Sequence, residues 1–156
     1  MTTAETSCAA YAPGPLKPEV AEALLKAAGV RMTPQRRAVL AVLDGNRTHP
    51  TAAAIVEAVR ERIGAVSVAT IYNTLDTLAR LGLVRVLDVM ESSTHYDPNT
   101  APHHHFVCRR CHAVLDAPPE YASRLAGFGG HAIEDIVFIG TCARCGSGTI
   151  QKKRKS

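Results

Sequence analysis

Two short motifs constrain this chain more than any other feature: Cys108-Arg-Arg-Cys111 and Cys142-Ala-Arg-Cys145. A C-x2-C turn presents two thiols on one side of a tight knuckle. Two such knuckles deliver the four soft donors of a closed tetrahedral zinc site. The N-terminus has neither a basic nor an apolar leader segment, and no apolar run approaches the ~20 residues of a membrane span. The chain therefore reads as soluble and cytoplasmic, with no membrane partner. Thiols stay reduced there, so metal is expected in place of a disulfide framework. Buried free thiols and a redox dithiol are the other readings, but the dithiol expects a strand-to-helix context that surrounds neither pair. Cys8, the remaining one of the five cysteines, reads as an unpaired bystander.

The whole chain of 156 residues leaves room for one ordinary domain or two small ones. Residues 1–17 read as a flexible arm, rich in Ala, Thr and Pro. Four segments of helical period follow, each stopping at a glycine: Gly29, Gly45, Gly64 and Gly82. The first should bury Val20, Leu24 and Ala27. The second has Thr33 as N-cap and Pro34 at its first turn, with Val39, Leu40 and Leu43 inward. The third follows His49-Pro50-Thr51 and should bury Ile55, Val59 and Ile63. The fourth starts at Ser67 and carries Ile71, Leu75, Leu78 and Leu81. A strand over Leu83–Val89, with Val84 and Val86 alternating against Arg85, then turns at Glu91-Ser92-Ser93 into Thr94-His95-Tyr96. Short helices closed by a hairpin suggest a winged helix-turn-helix, within an α+β chain.

Asp97-Pro98-Asn99-Thr100-Ala101-Pro102 reads as a hinge. Beyond it, His105–Val107 and Ala113–Asp116 are expected strands, Pro118–Leu125 a short helix, and Ile136–Ile139 a buried strand. So small a unit buries itself poorly alone, and both a metal and a partner subunit would help. The tail Lys152-Lys153-Arg154-Lys155 supplies most of the formal net charge of +4.

Three of the seven histidines are consecutive, His103, His104 and His105. On a strand, residues i and i+2 face the same way, so His103 and His105 can share an ion while His104 points elsewhere. Asp97 and Asp116 flank them. Imidazole with carboxylate suits Fe(II) or Mn(II) more than a thiolate set does. Taken alone, the cluster does not decide between a ligand set and a surface accident.

The runs GVRMTPQRRAVL, HPTAAAIVEAV, SVATIYNTLDTLARLGLV, HYDP, HHHFVCRRC and CARC together resemble the ferric uptake regulator family. The resemblance covers about residues 18–148. It implies a homodimeric, metal-dependent transcriptional repressor and not an enzyme. The implied fold is an N-terminal winged helix with a small C-terminal α/β dimerisation domain holding a four-cysteine structural zinc. The expected layout is an arm over 1–17, a DNA-binding domain over 18–97, a hinge over 98–102, a dimerisation and metal domain over 103–150, and a basic tail over 151–156.

Within the family the chain is most similar to the peroxide-responsive branch. That similarity implies a regulatory Fe(II) or Mn(II) site of His49, Asp97, His103, His105 and Asp116. Asp at position 97 favours that branch. His112 stands where relatives usually have Gly, which would strain the first knuckle. Some members hold a further metal, and His104, His131 and Glu134 are the corresponding candidates here.

The clamp logic is that His49 lies in one half, Asp97 at the hinge and the other three ligands beyond it. A shared ion would fix the angle between the halves. Residues 67–81 are the expected recognition helix, with Thr70, Tyr72, Asn73 and Thr77 nearer its exposed faces. The resemblance makes Tyr72 the leading base contact. Arg31, Arg36, Arg37 and Arg47 are phosphate-contact candidates. With ferrous iron, peroxide should oxidise His49 or His103 and release operator DNA, whereas manganese should hold it. The nearest rival is an iron- or manganese-homeostasis regulator of the same family. A non-haem iron enzyme and a plain zinc-ribbon module are more distant: five protein ligands leave little room for substrate, and the helical half argues against a ribbon alone.

Overall fold

The computed structural model describes residues 14–89, 93–117 and 135–146. Cys8, the turn at Glu91-Ser92, the expected helix Pro118–Leu125, His131, Glu134 and the basic tail lie outside them.

Four helices open the chain: α1 (Pro18–Ala27), α2 (Pro34–Leu43), α3 (Ala52–Ile63) and α4 (Val68–Arg80). The caps follow from the sequence. Thr33 Oγ1 accepts from Arg36 N at 3.2 Å, and Thr51 Oγ1 accepts from Ala54 N at 3.2 Å, each satisfying an orphan donor of a first turn. Ser67 occupies the N-cap of α4 without a side-chain capping bond.

A first core joins these helices through Leu25, Val39, Leu40, Leu43, Ile55, Val59, Ile71, Leu75 and Leu78, all buried. Three details differ from the sequence expectation. In α1 the inward face is Ala21 and Leu25, while Val20 and Ala27 are exposed. Ile63 is also exposed, because it ends α3 beyond the reach of its neighbours. Thr77 is buried, its hydroxyl donating to the Asn73 carbonyl at 2.7 Å, which satisfies it without water.

Strands β1 (Arg85–Leu87) and β2 (His95–Asp97) form an antiparallel pair in which Arg85 lies opposite Asp97. Leu83, Val84 and Leu87 point inward and Val86 outward, so the alternation is shifted from the expected one. The expected arm ends earlier than residue 17. Leu16 is buried in the first core, its N–H donates to Pro98 O at 2.7 Å, and Thr100 N donates to Gly14 O at 2.9 Å.

The C-terminal half is a three-stranded sheet in the order β4-β3-β5, with β3 (His104–Cys108), β4 (Val114–Ala117) and β5 (Val137–Gly140), followed by α5 (Ala143–Gly146). Strand β3 pairs antiparallel with β4 and parallel with β5. A second, small core of Leu87, Val107 and Val114 docks the wing against this sheet. Strand β5 is not the buried strand its composition suggested: Val137 is 37% and Ile139 51% exposed. Among the described residues it is an edge strand, paired with β3 alone.

Candidate metal centres

The four cysteines of the two knuckles come together. Cys108 ends β3, the turn to β4 carries Cys111, and Cys142 and Cys145 flank the start of α5. Their sulfur atoms all lie within 4.8 Å of one another. Cys111 Sγ and Cys142 Sγ are 3.7 Å apart, close to the ~3.8 Å edge of a tetrahedron with ~2.3 Å metal–sulfur bonds. Backbone N–H groups already point at the cluster: Cys142 N donates to Cys108 Sγ at 3.3 Å and Arg110 N at 3.4 Å.

Those N–H groups, that of Cys142 foremost, hold the Cys108 thiol down to about 6. The Ala113 N–H lowers Cys111 as well. Cys145 is pushed up to about 12 by its Cys111 and Cys142 neighbours. Negative charge thus accumulates on some sulfurs until the others refuse it, and a divalent cation is the partner that relieves this. His112 sits in the first knuckle at φ +58°, a left-handed conformation that favours Gly, and its N–H closes the turn on Cys108 O at 2.9 Å.

The second centre lies between the two halves. His49 precedes α3, Asp97 ends β2, His103 and His105 belong to the β3 segment, and Asp116 lies on β4. Ligand atoms of His49, Asp97, His103 and His105 lie within 4.8 Å of one another. Asp116 joins at the rim: its Oδ1 is 3.0 Å from His49 Nε2 and 3.3 Å from His103 Nε2. Asp97 Oδ2 is 3.1 Å from His103 Nε2 and 3.3 Å from His105 Nε2. His49 and His105 are essentially fully buried, as is Asp97.

The Nε2 atoms of His49 and His103 make no hydrogen bond despite these short distances. Nitrogens and oxygens so placed aim at a common point more than at each other, as metal ligands do. Burial lowers the His49 pKa, keeping the imidazole neutral and its lone pair available. Burial pushes Asp97 up, but the His105 hydrogen bond, the Asn99 N–H and neighbouring imidazoles hold it below its ordinary value. It is a carboxylate inside the protein. This donor set of neutral imidazoles and carboxylates suits a divalent iron or manganese ion, whereas the thiolate set suits zinc.

His103 is oriented from behind, Nδ1 meeting Ala101 O at 2.8 Å. His49 is held through its backbone, at φ +48°. His95, quoted in the sequence motif but given no role there, is the residue that holds it: its Nδ1 meets His49 O at 2.7 Å. A cavity of about 210 Å³ lined by His49, Asp97, Asp116, Arg47 and Asn46 opens this centre to solvent. His104 turns away from it, as strand alternation requires.

On the expected recognition helix, Tyr72 is 49% exposed and Val68, one turn earlier on the same face, 45%. Asn73 is exposed and Thr70 half-buried. Arg37 is exposed but engaged by both carboxylate oxygens of Glu22, at 2.7 and 2.9 Å. Arg36 donates to the Arg31 carbonyl.

The ferric uptake regulator family model matches residues 27–121, which take in helices α2–α4, the wing and the whole His/Asp centre. The chain belongs to the ferric uptake regulator family. Family members are transcriptional regulators, not enzymes. The peroxide-responsive repressor of Staphylococcus aureus is 44% identical over 94 residues, 60% of this chain and 64% of that one. The match therefore spans slightly less than two thirds of that relative. Among solved structures, the Helicobacter pylori ferric uptake regulator, described as having three functional metal binding sites, superposes with a TM-score of 0.70. It is 22% identical, covering 86% of this chain and 97% of that one. A zinc-bound manganese uptake regulator superposes at 0.66, 22% identical, over 78% of this chain and 98% of that one. At those identities the likeness is one of fold: a winged helix followed by a small α/β domain.

Proposed function

We propose that this family member is a cytoplasmic, metal-dependent transcriptional repressor that binds operator DNA as a homodimer and responds to peroxide. The observation that carries the reading is the convergence of His49, His103, His105 and Asp97, contributed by both halves, on one buried point with Asp116 at its rim. Residues 18–97 form the DNA-binding domain, 98–102 the hinge and 103–150 the dimerisation and metal domain. Cys108, Cys111, Cys142 and Cys145 hold structural zinc. His49, Asp97, His103, His105 and Asp116 hold the regulatory Fe(II) or Mn(II).

The ligand residues set the geometry of the repressor. His49 leads into α3 and Asp97 ends the wing, whereas His105 and Asp116 belong to the sheet and His103 immediately precedes β3. Gathering all five locks the angle between the halves. In a symmetric dimer this fixes the separation of two recognition helices, which must match half-sites about one helical turn apart or a multiple of it. Metal and DNA affinity are then coupled by ~1–3 kcal/mol, reciprocally. The exposed apolar edge strand β5 supports pairing with a second copy, which would cover Val137 and Ile139. Tyr72 and Val68 offer an apolar face to thymine methyls, flanked by Asn73 and Thr70. Arg31, Arg36 and Arg37 are the phosphate contacts of this reading, Arg31 and Arg37 being exposed.

Ferrous iron held by His49, Asp97, His103, His105 and Asp116 would supply the redox chemistry that activates hydrogen peroxide. The net change inserts one peroxide oxygen into a ring C–H of a ligand histidine and leaves water. His49 and His103 are the expected acceptors, and only His49 of the two lines the cavity through which peroxide arrives. An oxidised His49 no longer holds the DNA-binding half in place. Asp97 and Asp116 balance the charge, and the buried His105 keeps its ring away from solvent.

The test is operator binding by Fe(II)- and Mn(II)-loaded protein before and after peroxide, under anaerobic control, with peptide mass spectrometry. One added oxygen on the peptide carrying His49 or His103, in the iron form alone, is the expected result. Met and Cys also take up oxygen, so the modification must be localised. DNA affinity independent of metal, or DNA release with unmodified histidines, overturns the proposal.

A further inference from the structure

Among the described residues, and besides Nδ1 of His49, two buried nitrogen atoms at the rear of the His/Asp centre have no hydrogen-bond partner: Nδ1 of His105 and Nδ1 of His104. Both face one carboxylate. Asp135 Oδ1 lies 3.7 Å from His105 Nδ1 and 3.9 Å from His104 Nδ1. Its other oxygen takes the Arg85 guanidinium at 2.5 Å. The placement is set by the backbone. His105 N donates to Ile136 O at 3.0 Å, so the parallel pairing of β5 with β3 delivers Asp135 to the rear of the His105 ring. Arg85 lies on the wing, directly across the ladder from Asp97. The contacts thus run from one ligand, His105, through Asp135 and Arg85 to the strand that bears another, Asp97.

We propose that Asp135 is a positioning residue for the regulatory metal, accepting the Nδ1–H of His105 and tying that ring to the wing through Arg85. This inference rests on the metal-centre reading above. An imidazole that offers Nε2 to a metal carries its proton on Nδ1, and that N–H needs an acceptor when buried. For His103 the acceptor is the Ala101 carbonyl. For the fully buried His105, Asp135 is the carboxylate that faces Nδ1. The 3.7 Å separation exceeds a hydrogen bond, and a small turn of the Asp135 carboxylate closes it. A carboxylate behind a ligand histidine fixes ring and tautomer and strengthens the donor. Because Arg85 holds the same carboxylate, a shift of the wing withdraws support from His105, and a well-held His105 steadies the wing.

The experiment is a Mn(II) titration of the zinc-loaded full chain by electron paramagnetic resonance, for wild type, Asp135→Asn, Asp135→Ala, Asp135→Glu and Arg85→Gln. Replacing the carboxylate should weaken Mn(II) binding ~10–100-fold, the usual effect of losing such a partner. Asp135→Glu should recover most of the affinity. Arg85→Gln, which keeps the carboxylate, should weaken it less. Zinc content checks that each variant folds, and with a diamagnetic divalent ion such as Zn(II) filling the His/Asp centre, ¹⁵N shifts of the wild-type His105 ring should report the Nδ1–H tautomer; without that ion His105 Nε2 donates to Asp97. A purely structural ion pair would make Arg85→Gln and Asp135→Asn equivalent and leave Mn(II) affinity unchanged in both. That result, or an Nε2–H tautomer, overturns this inference alone. Wild-type protein that takes up no Mn(II), or a His49→Ala variant that binds it as wild type does, overturns the metal-centre reading and this inference with it.

Discussion

The backbone carbonyl of His49 accepts a 2.7 Å hydrogen bond from Nδ1 of His95, and both residues are buried. A carbonyl can only accept, so His95 carries its proton on Nδ1, leaving Nε2 to accept from Ser93 Oγ at 3.0 Å. His49 is at φ +48°, a conformation that costs energy for a residue with a side chain, and the bond from His95 helps hold it there. Replacing His95→Ala strands a buried carbonyl, which should cost ~1–3 kcal/mol. Urea unfolding should register that loss, and Mn(II) affinity should fall because His49 is no longer fixed.

The knuckle residue His112 tests the opposite direction. Its φ of +58° suits Gly, and an L-residue there costs roughly 1 kcal/mol. His112→Gly should raise the unfolding midpoint of the zinc-loaded protein by a corresponding amount with Mn(II) affinity unchanged. An unchanged or lower midpoint would count against strain at this turn.

Acid should weaken the protein lacking its regulatory ion. Burial lowers the His49 pKa, so the unfolded chain takes up a proton near the ordinary 6.5 while the folded chain still resists it. The unfolded state then binds more protons, and stability falls as pH drops below 6.5. Asp97, held below its ordinary 3.8, has the same sign at lower pH: its contribution is full above 3.8 and is lost as pH falls further. Urea midpoints between pH 8 and 5.5 should decline, and His49→Gln should flatten that decline.

Removing zinc should unravel one half and spare the other. In Cys142→Ser, hydrogen exchange across β3 and β4 should accelerate, because among the described residues the sheet contributes only Val107 and Val114 to a buried cluster, which Leu87 of the wing completes. Helices α2–α4 share the larger core and should remain protected. Cys8→Ser should leave zinc stoichiometry unchanged.

At the DNA surface, Tyr72→Ala should weaken operator binding about tenfold, in line with ~1–3 kcal/mol for a good base contact. Glu22→Gln releases Arg37 from its carboxylate partner. Operator affinity should rise, and its salt dependence should steepen by about one phosphate contact.

The cap at Thr33, the glycine stops and both knuckles were legible in the sequence because each is a local device; Ser67, expected as a cap, makes no capping bond, and the cap at Thr51 was not read. Helix faces were less so. Val20 and Ala27 of α1 satisfy helical spacing yet are exposed, since a short helix at the edge of a core buries only a narrow stripe. For β5, an apolar run indicates a strand but not whether anything covers it. The histidines and aspartates of the second centre were readable as a set through the family resemblance. Asp135 and Arg85 were not, because a pair 50 positions apart leaves no spacing signal.

Strand β3 carries His105 at its second residue and Cys108 at its last. Five residues therefore serve both centres, and the sheet that seats His105 is anchored by the cysteines. On the proposed reading, assembly would acquire an order, the thiolate site filling before the His/Asp centre takes its shape. A chain starved of zinc would then lack the seat for its regulatory ion, whatever the supply of that ion.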